Sequence, residues 1–393
     1  MQPTSDTFEK AQTGAVAAEP YVSIAIFAWN EERAVPTLLN SLFQQSLFAQ
    51  LEARNLKAEI ICVLNGCTDR TAEVANAAFE AAKRDHPNRT AFSGRVENLA
   101  QRGKINAWNQ YVHSVSARGA RYLVMMDADI IIHAKDTLLS MVSTLEQDSQ
   151  AMVAVDQPCK DIAWKKTKSV TDRLSLGMSH MTKSADGQLC GQLYCIRAEV
   201  ARKIYLPKDL PACEDGFIKA LVCTGFLSHE IQPSRIRVAE GAAHTFEAYT
   251  SPRAILKNQK RQIIGQTVVH ILVDDYLKSL PLASREDLPG TLRAKDASDP
   301  IWLKRLLGEH LRKTKVFWRL YPGLLGQRFI HLGKLVPLKR LRFLPSATAS
   351  VVVGFAAAWA ARKTLKTGAI AYWPKANRVG FERMPPAIGN TLS

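Results

Sequence analysis

Three short apolar runs constrain this chain more than anything else in it. YVSIAIFA (21–28), AEIICVL (58–64) and RYLVMMD (121–127) have strand length and are rich in apolar residues, and each stops at a polar cluster. Between the first two, Val35, Leu38, Leu39, Leu42, Phe43 and Leu47 recur at helical spacing within Glu31–Gln50. An Ala-rich stretch reaching Arg84 and KINAWNQYVHSV (104–115) also read as helices, with a weaker strand near 91–97. Strands alternating with helices through short polar links predict an α/β fold, a parallel sheet with right-handed crossovers.

Ligands of such sheets bind at the C-terminal ends of the strands. The polar clusters stand at those ends: Asn30, Glu31 and Glu32; Asn65 to Asp69; Asp127 and Asp129. Each cluster alone also reads as a helix cap or a turn, since Asn, Asp and Thr favour both. That alternative fits Asp127-Ala-Asp129 least well. Two carboxylates in one turn repel unless a proton or cation lies between them. A hard divalent ion, completed by water and phosphate oxygens, suits them. Further on, CEDGF (213–217) places Glu214 and Asp215 beside a glycine in an apolar setting. Burial and a neighbouring charge would raise one carboxylate into the range of a general base, while the same pair also suits a helix N-terminus.

The 393 residues are 47% hydrophobic and 22% charged, which excludes collagen-like, low-complexity and wholly disordered chains. A net charge of +16 points to nucleic acid, an anionic membrane surface or phosphorylated ligands. From Ile301 onward, 8 Lys and 9 Arg face only Glu309 and Glu382, a net +15, so the first 300 residues carry about +1. Seven cysteines without a CxxC pair argue against a disulfide framework or zinc site and for a reducing compartment. No basic start followed by an apolar run marks a signal peptide in residues 1–20, which read as a polar tail.

IWLKRLLGEHLRK (301–313) sets Trp302, Leu303, Leu306, Leu307 and Leu311 on one side and Lys304, Arg305, Arg312 and Lys313 mostly on the other. That is the pattern of an interfacial helix, although an aromatic stripe also suits an ordinary core. FLPSATASVVVGFAAAWAA (343–361) has just the length to cross a bilayer core of about 30 Å, but its Pro, Ser, Thr and Ala content favours a re-entrant or docked helix. No zinc spacing, RNP-like motif or helix-turn-helix signal supports nucleic acid as the partner.

AWNEERAVPTLLNSLFQQS (28–46), NGCTDRT (65–71), RGKINAWN (102–109), MMDADI (125–130), GQLYCIRAE (191–199), CEDGF (213–217) and NQKRQ (258–262) follow one another over residues 21–265. In that order they resemble the inverting family 2 glycosyltransferases of bacteria. The resemblance implies a Rossmann-like GT-A domain over 21–250 and a helix and linker over 251–300 that complete the site. A basic, helical, membrane-associating region would span 301–393. It also implies a nucleotide-sugar donor, contacted by Phe27, Trp29, Asn30 and Glu31, with Asn65 where the base is read. Lys104 and Asn109 match the element beside the donor, and Gly191 to Arg197 the loop under the sugar. Asp127 would contact the ribose or the metal, and Asp129 would hold Mg²⁺ or Mn²⁺ on the diphosphate. His244 is a third ligand, a diphosphate contact or a structural histidine. Asp215, beside Glu214, matches the acceptor base. Gln259 and Arg261 match a Gln-x-Arg-Trp element in which Gln262 replaces the Trp, which argues for transfer of one sugar.

The implied reaction moves a single hexosyl unit to a lipid-linked or saccharide acceptor at the cytoplasmic face of an anionic membrane. Removal of 301–393 would then release an intact first domain. Two rivals are a sugar nucleotidylyltransferase, whose Gly-rich basic loop the N-terminal region lacks, and a catalytically silent membrane scaffold.

Overall fold

The computed structural model describes residues 19–165, 167–169, 172–173, 176, 184–211, 213–249, 251–313 and 353–365. Eight strands form one sheet: β1 Val22–Ala28, β2 Ala58–Asn65, β3 Phe92–Leu99, β4 Tyr122–Asp127, β5 Ile130–Ile132, β6 Val153–Lys160, β7 Leu193–Arg197 and β8 Ile236–Phe246, in the order β3-β2-β1-β4-β7-β6-β8-β5. The four expected strands are mutually parallel, so their C-terminal ends share one edge. β1, β2 and β4 read as largely apolar runs, broken only by Ser23 and Glu59 before their polar ends, because both sheet faces are covered.

The second half of the sheet is mixed. β7 runs antiparallel to both β4 and β6, and β8 runs parallel to β6. The helix expected over 31–50 is two, Val35–Phe43 and Leu47–Ala53. Gln45 lies in the break, its buried amide bonded to Ala134 C=O (3.0 Å) and Leu138 N–H (3.1 Å). The helix from Lys104 widens into a π-turn at Tyr111–Val115, where the Tyr111 hydroxyl donates to Ser23 Oγ at 2.8 Å.

The C-terminal helices correct the expected domain division. In Trp302–Lys313, Trp302, Leu303, Leu307 and Leu311 are each at most 6% exposed and join the core on one sheet face, with Trp108, Phe217, Val268 and Leu292. Ala357, Ala358, Ala361 and Leu365 of the helical stretch 353–365 enter the same core. The stripe read as membrane-facing is therefore spent on the protein's interior, and residue 300 is no packing boundary. Trp302 Nε1 donates to Asp296 Oδ1 at 2.8 Å, Lys304 pairs with Asp209 at 3.1 Å, and Arg305 pairs with Asp299. Among the described residues no helix is long and apolar enough to cross a membrane. The tail 1–18 and the rest of the basic region, 314–352 and 366–393, lie outside the described residues.

A chain ended at residue 300 should consequently unfold or aggregate. Each large apolar side chain withdrawn from the core is worth roughly 1.5–3 kcal/mol, and four of them rival a net stability of about 5–15 kcal/mol. Thermal melts by circular dichroism decide this; a truncated chain that melts like the full one would restore the independent first domain.

Candidate active site

The site is organised around one ammonium group. Gly103 takes φ +140°, which favours glycine, and turns the chain into the helix Lys104–Gln110. Its N–H donates to Asn65 Oδ1 at 2.5 Å, so the end of β2 pins the residue before Lys104. Lys104 Nζ then meets Asp127 Oδ1 at 2.7 Å and Glu214 Oε1 at 2.9 Å. Asp127 ends β4, while Glu214 and Asp215 open the helix Glu214–Cys223. Two acidic clusters nearly ninety residues apart in the chain are thus drawn to one place, at the sheet edge where the parallel strands end.

Electrostatics separates these carboxylates. Burial pushes Asp127 up to about 6; Lys104 pulls it down and Asp129 adds to the rise. Asp129, half-buried, is also raised, chiefly by burial. Burial opposes ionisation of Glu214, but Lys104 overcomes it and holds Glu214 below its ordinary range. Asp215 goes the other way, up to about 6, through burial and then the charge of Glu214. Burial works against the Lys104 ammonium, yet Asp127 and Glu214 keep it protonated far above neutral pH. Adjacent residues thus carry opposite tasks: Glu214 anchors the lysine and Asp215 is poised to exchange a proton.

The loop before β7 closes on this pair. A methyl group on Gly191 would lie 3.3 Å from Asp215 Cβ and 3.4 Å from Glu214 Oε1, so glycine admits the close approach. Arg261, on the helix Pro252–His270, is close enough to draw both Glu214 and Asp215 downward. Gln259, two residues earlier, lies round the helix from it. Tyr249, 38% exposed, sits within the field of Arg261, Asp129 and Asp127 and was missed in the sequence for want of any motif.

The residues expected at the nucleotide spend much of their bonding on shaping the cleft. Asn30 takes the left-handed conformation (φ 55°); its Oδ1 accepts from Thr68 N–H at 2.7 Å and its Nδ2 donates to Thr68 Oγ1 at 3.2 Å. Glu31 N–H donates to Thr71 Oγ1 at 2.7 Å. Phe27 packs edge-on against Tyr111 beneath the site. Trp29 is covered by the Arg102 guanidinium, 3.7 Å from the ring centroid, a contact the sequence did not announce.

Two expectations are corrected. Arg197 ends β7 opposite Tyr122, the first residue of β4, and so stands at the far edge of the sheet. There it donates to the carbonyls of Ala151, Leu145 and Asp148, closing the end of the helix Thr137–Gln147. The antiparallel direction of β7 carries it away from Asp127. Asn109 likewise exchanges two hydrogen bonds with the backbone of Leu206 and serves the scaffold.

His244, in β8, is fully buried and bonds Asp156 through Nδ1 at 2.6 Å; Nε2 lies 3.5 Å from Gln192 Oε1. Among the described residues no three His, Cys, Asp or Glu side chains form a ready cage for a metal ion. Asp127, Asp129, Glu214 and Asp215 nevertheless gather around Lys104 and Arg261, with more negative than positive charge, and burial raises three of them. That imbalance fits a hard divalent cation at Asp127 and Asp129, taking most of its shell from water and ligand oxygens.

In an α/β sheet the C-terminal ends of the parallel strands are where ligands bind, and here that edge carries the carboxylates. Comparison with known proteins narrows this. Residues 23–199 match the family model described as Glycosyl transferase family 2. The fold is that of a mannosyltransferase from Pyrobaculum calidifontis, solved with GDP-Man and Mn²⁺, at TM-score 0.51 and 16% identity over 89% of this chain and 88% of that one. Glucosyl-3-phosphoglycerate synthase from Mycobacterium tuberculosis, solved with phosphoglyceric acid, aligns at TM-score 0.41 and 14% identity over 65% and 80%. A search of curated proteins found no match. The sheet is thus the GT-A type expected from the sequence motifs.

Proposed function

We propose that the protein is an inverting glycosyltransferase that moves one hexosyl unit from a nucleoside diphosphate donor to an acceptor hydroxyl. The observation that carries this is the Lys104 bridge. It brings the Asp127–Asp129 turn, suited to the diphosphate, beside Asp215, suited to the acceptor. The family 2 match over 23–199 supports the same reading.

In this mechanism Asp215 removes the proton of the acceptor hydroxyl as its oxygen attacks the anomeric carbon. The bond to the donor phosphate oxygen breaks with its electron pair, and the single displacement inverts the configuration. Lys104 and Arg261 supply fixed positive charge near the leaving diphosphate. Asp127, Asp129 and the Nε2 of His244 would hold Mg²⁺ or Mn²⁺, which when bound adds Lewis-acid stabilisation of that charge. Glu214 keeps Lys104 in place.

For the acceptor we propose a lipid-linked or saccharide hydroxyl at the cytoplasmic face of an anionic membrane. Two features support it. Most of the basic excess lies beyond the docked helix Trp302–Lys313, and Trp359 is 70% exposed on the helical stretch 353–365. The test is release of nucleoside diphosphate from a panel of nucleotide sugars, with and without Mn²⁺ or Mg²⁺. Metal-stimulated release with at least one donor is expected; binding without turnover across the panel would favour the silent scaffold.

A further inference from the structure

Asp156 is a lone carboxylate in the otherwise apolar start of β6, VAV, and it has no exposed surface. Burying a carboxylate is costly unless something specific holds it. Its Oδ2 bonds His244 Nδ1 at 2.6 Å, while Oδ1 has no hydrogen-bond partner among the described residues. The histidine is therefore the bond for which this carboxylate is kept. The pairing of β6 with β8 is broken here: Val155 pairs with Val238, and pairing resumes with Gln157 opposite Ala243. Such irregularities re-aim side chains, and this one falls at Asp156 itself.

The chemistry of the contact fixes the ring. With the Asp156 oxygen as the acceptor of this bond, Nδ1 is its donor and carries a hydrogen. Nε2 is then the ring nitrogen on the opposite edge. It lies 3.5 Å from the Gln192 side chain, whose own backbone carbonyl accepts from Asp127 N–H at 2.9 Å. The Nε2 edge of His244 thus faces, through the Gln192 side chain, the loop that holds the start of the Asp127–Asp129 turn.

We infer that Asp156 is a positioning residue: it locks His244 with Nδ1 protonated and Nε2 turned toward the Asp127–Asp129 turn, ready to complete the shell of a divalent cation. The inference deepens the proposed function and rests on its cation. Asp156 touches neither substrate nor cation. Without it the ring can change tautomer or turn over, and the cation loses a prealigned ligand.

The full chain, labelled with ¹⁵N-histidine and free of metal, tests this first without any variant. His244 should show a protonated Nδ1; a ring protonated at Nε2 alone overturns the inference. In Asp156→Asn the Nδ1 signature should weaken or mix, and Mn²⁺ affinity by electron paramagnetic resonance should fall about 10- to 100-fold. Asp156→Glu, which keeps the carboxylate, should recover part of that loss. His244→Ala should lose as much as Asp156→Asn, and the double variant little more. An unchanged tautomer in Asp156→Asn, or an equal further loss of Mn²⁺ on the His244→Ala background, rejects Asp156 as acting through the ring. If the unaltered protein binds Mn²⁺ independently of His244, the ligand role fails while the transferase reading stands. Absence of transfer with a locked, Mn²⁺-binding His244 would instead count against the proposed function alone.

Discussion

Asp215→Asn is expected to lose transfer by about 10²- to 10⁴-fold, the usual worth of a positioned general base, while donor affinity stays within a few-fold. The amide keeps the shape of the side chain but cannot take the acceptor proton. Wild-type activity should follow the charge of Asp215, whose carboxyl is pushed up to about 6 by burial and then by Glu214. A base works only when deprotonated, so the rate should rise with pH through about 6 and level off above it. In Asp215→Asn the residual rate should lack that limb. Transfer by the variant at the wild-type rate would remove Asp215 from the mechanism.

The same substitution should stabilise the fold. A carboxyl whose folded pKa exceeds its ordinary value binds its proton more tightly in the native state, so its charge destabilises that state at neutral pH. After a discount for the part of Asp215 still open to solvent, the gain on going to Asn is about 1–2 kcal/mol at pH 7. It should shrink as pH falls through 6, because the wild-type carboxyl then takes up the proton that the amide never needed. A variant that is inactive yet melts higher at pH 7, and loses that advantage near pH 4, is the signature of a site whose strain serves chemistry. Melting curves at the two pH values show it.

The sheet edge was legible because the chemistry changes abruptly there. The apolar runs of β1, β2 and β4 end at Asn30, Asn65 and Asp127, and parallel strands bring such ends together without further information. Direction and partner were not legible. Gly191 to Arg197 match a loop under the sugar, and nothing in them says that Leu193–Arg197 form a strand antiparallel to β4, which carries Arg197 to the other edge. The stripe of Trp302, Leu303, Leu307 and Leu311 looks the same whether lipid or a protein core lies opposite, and the core took it. The resemblance puts Asn65 at the base, whereas its oxygen holds Gly103 and thereby sets Lys104. Asp156 did leave a trace, a single acid in an apolar strand, but its partner His244 is 88 residues away and only the fold joins them.

Lys104→Met should do more damage to the fold than any other single change in the site. Methionine fills much the same volume but leaves Asp127 and Glu214 buried without the ammonium that both now face at 2.7 and 2.9 Å. Removing one member of a buried ionic cluster typically costs about 3–5 kcal/mol, because the charges left behind stay desolvated. The loss should be greatest at high pH. Without Lys104 the carboxyl of Asp127, already raised, rises further, and that of Glu214 loses the pull that now holds it below its ordinary range, so protonation at low pH relieves the repulsion among Asp127, Asp129 and Glu214. Urea denaturation at pH 8 and pH 5 should therefore show a larger deficit at pH 8. Donor binding should fall with it, since the same lysine supplies charge beside the diphosphate. A double variant, Lys104→Met with Glu214→Gln, should regain part of the stability and little of the activity. Equal deficits at both pH values would mean that Lys104 acts through packing alone, and the bridge between the two carboxylate clusters would lose its electrostatic basis.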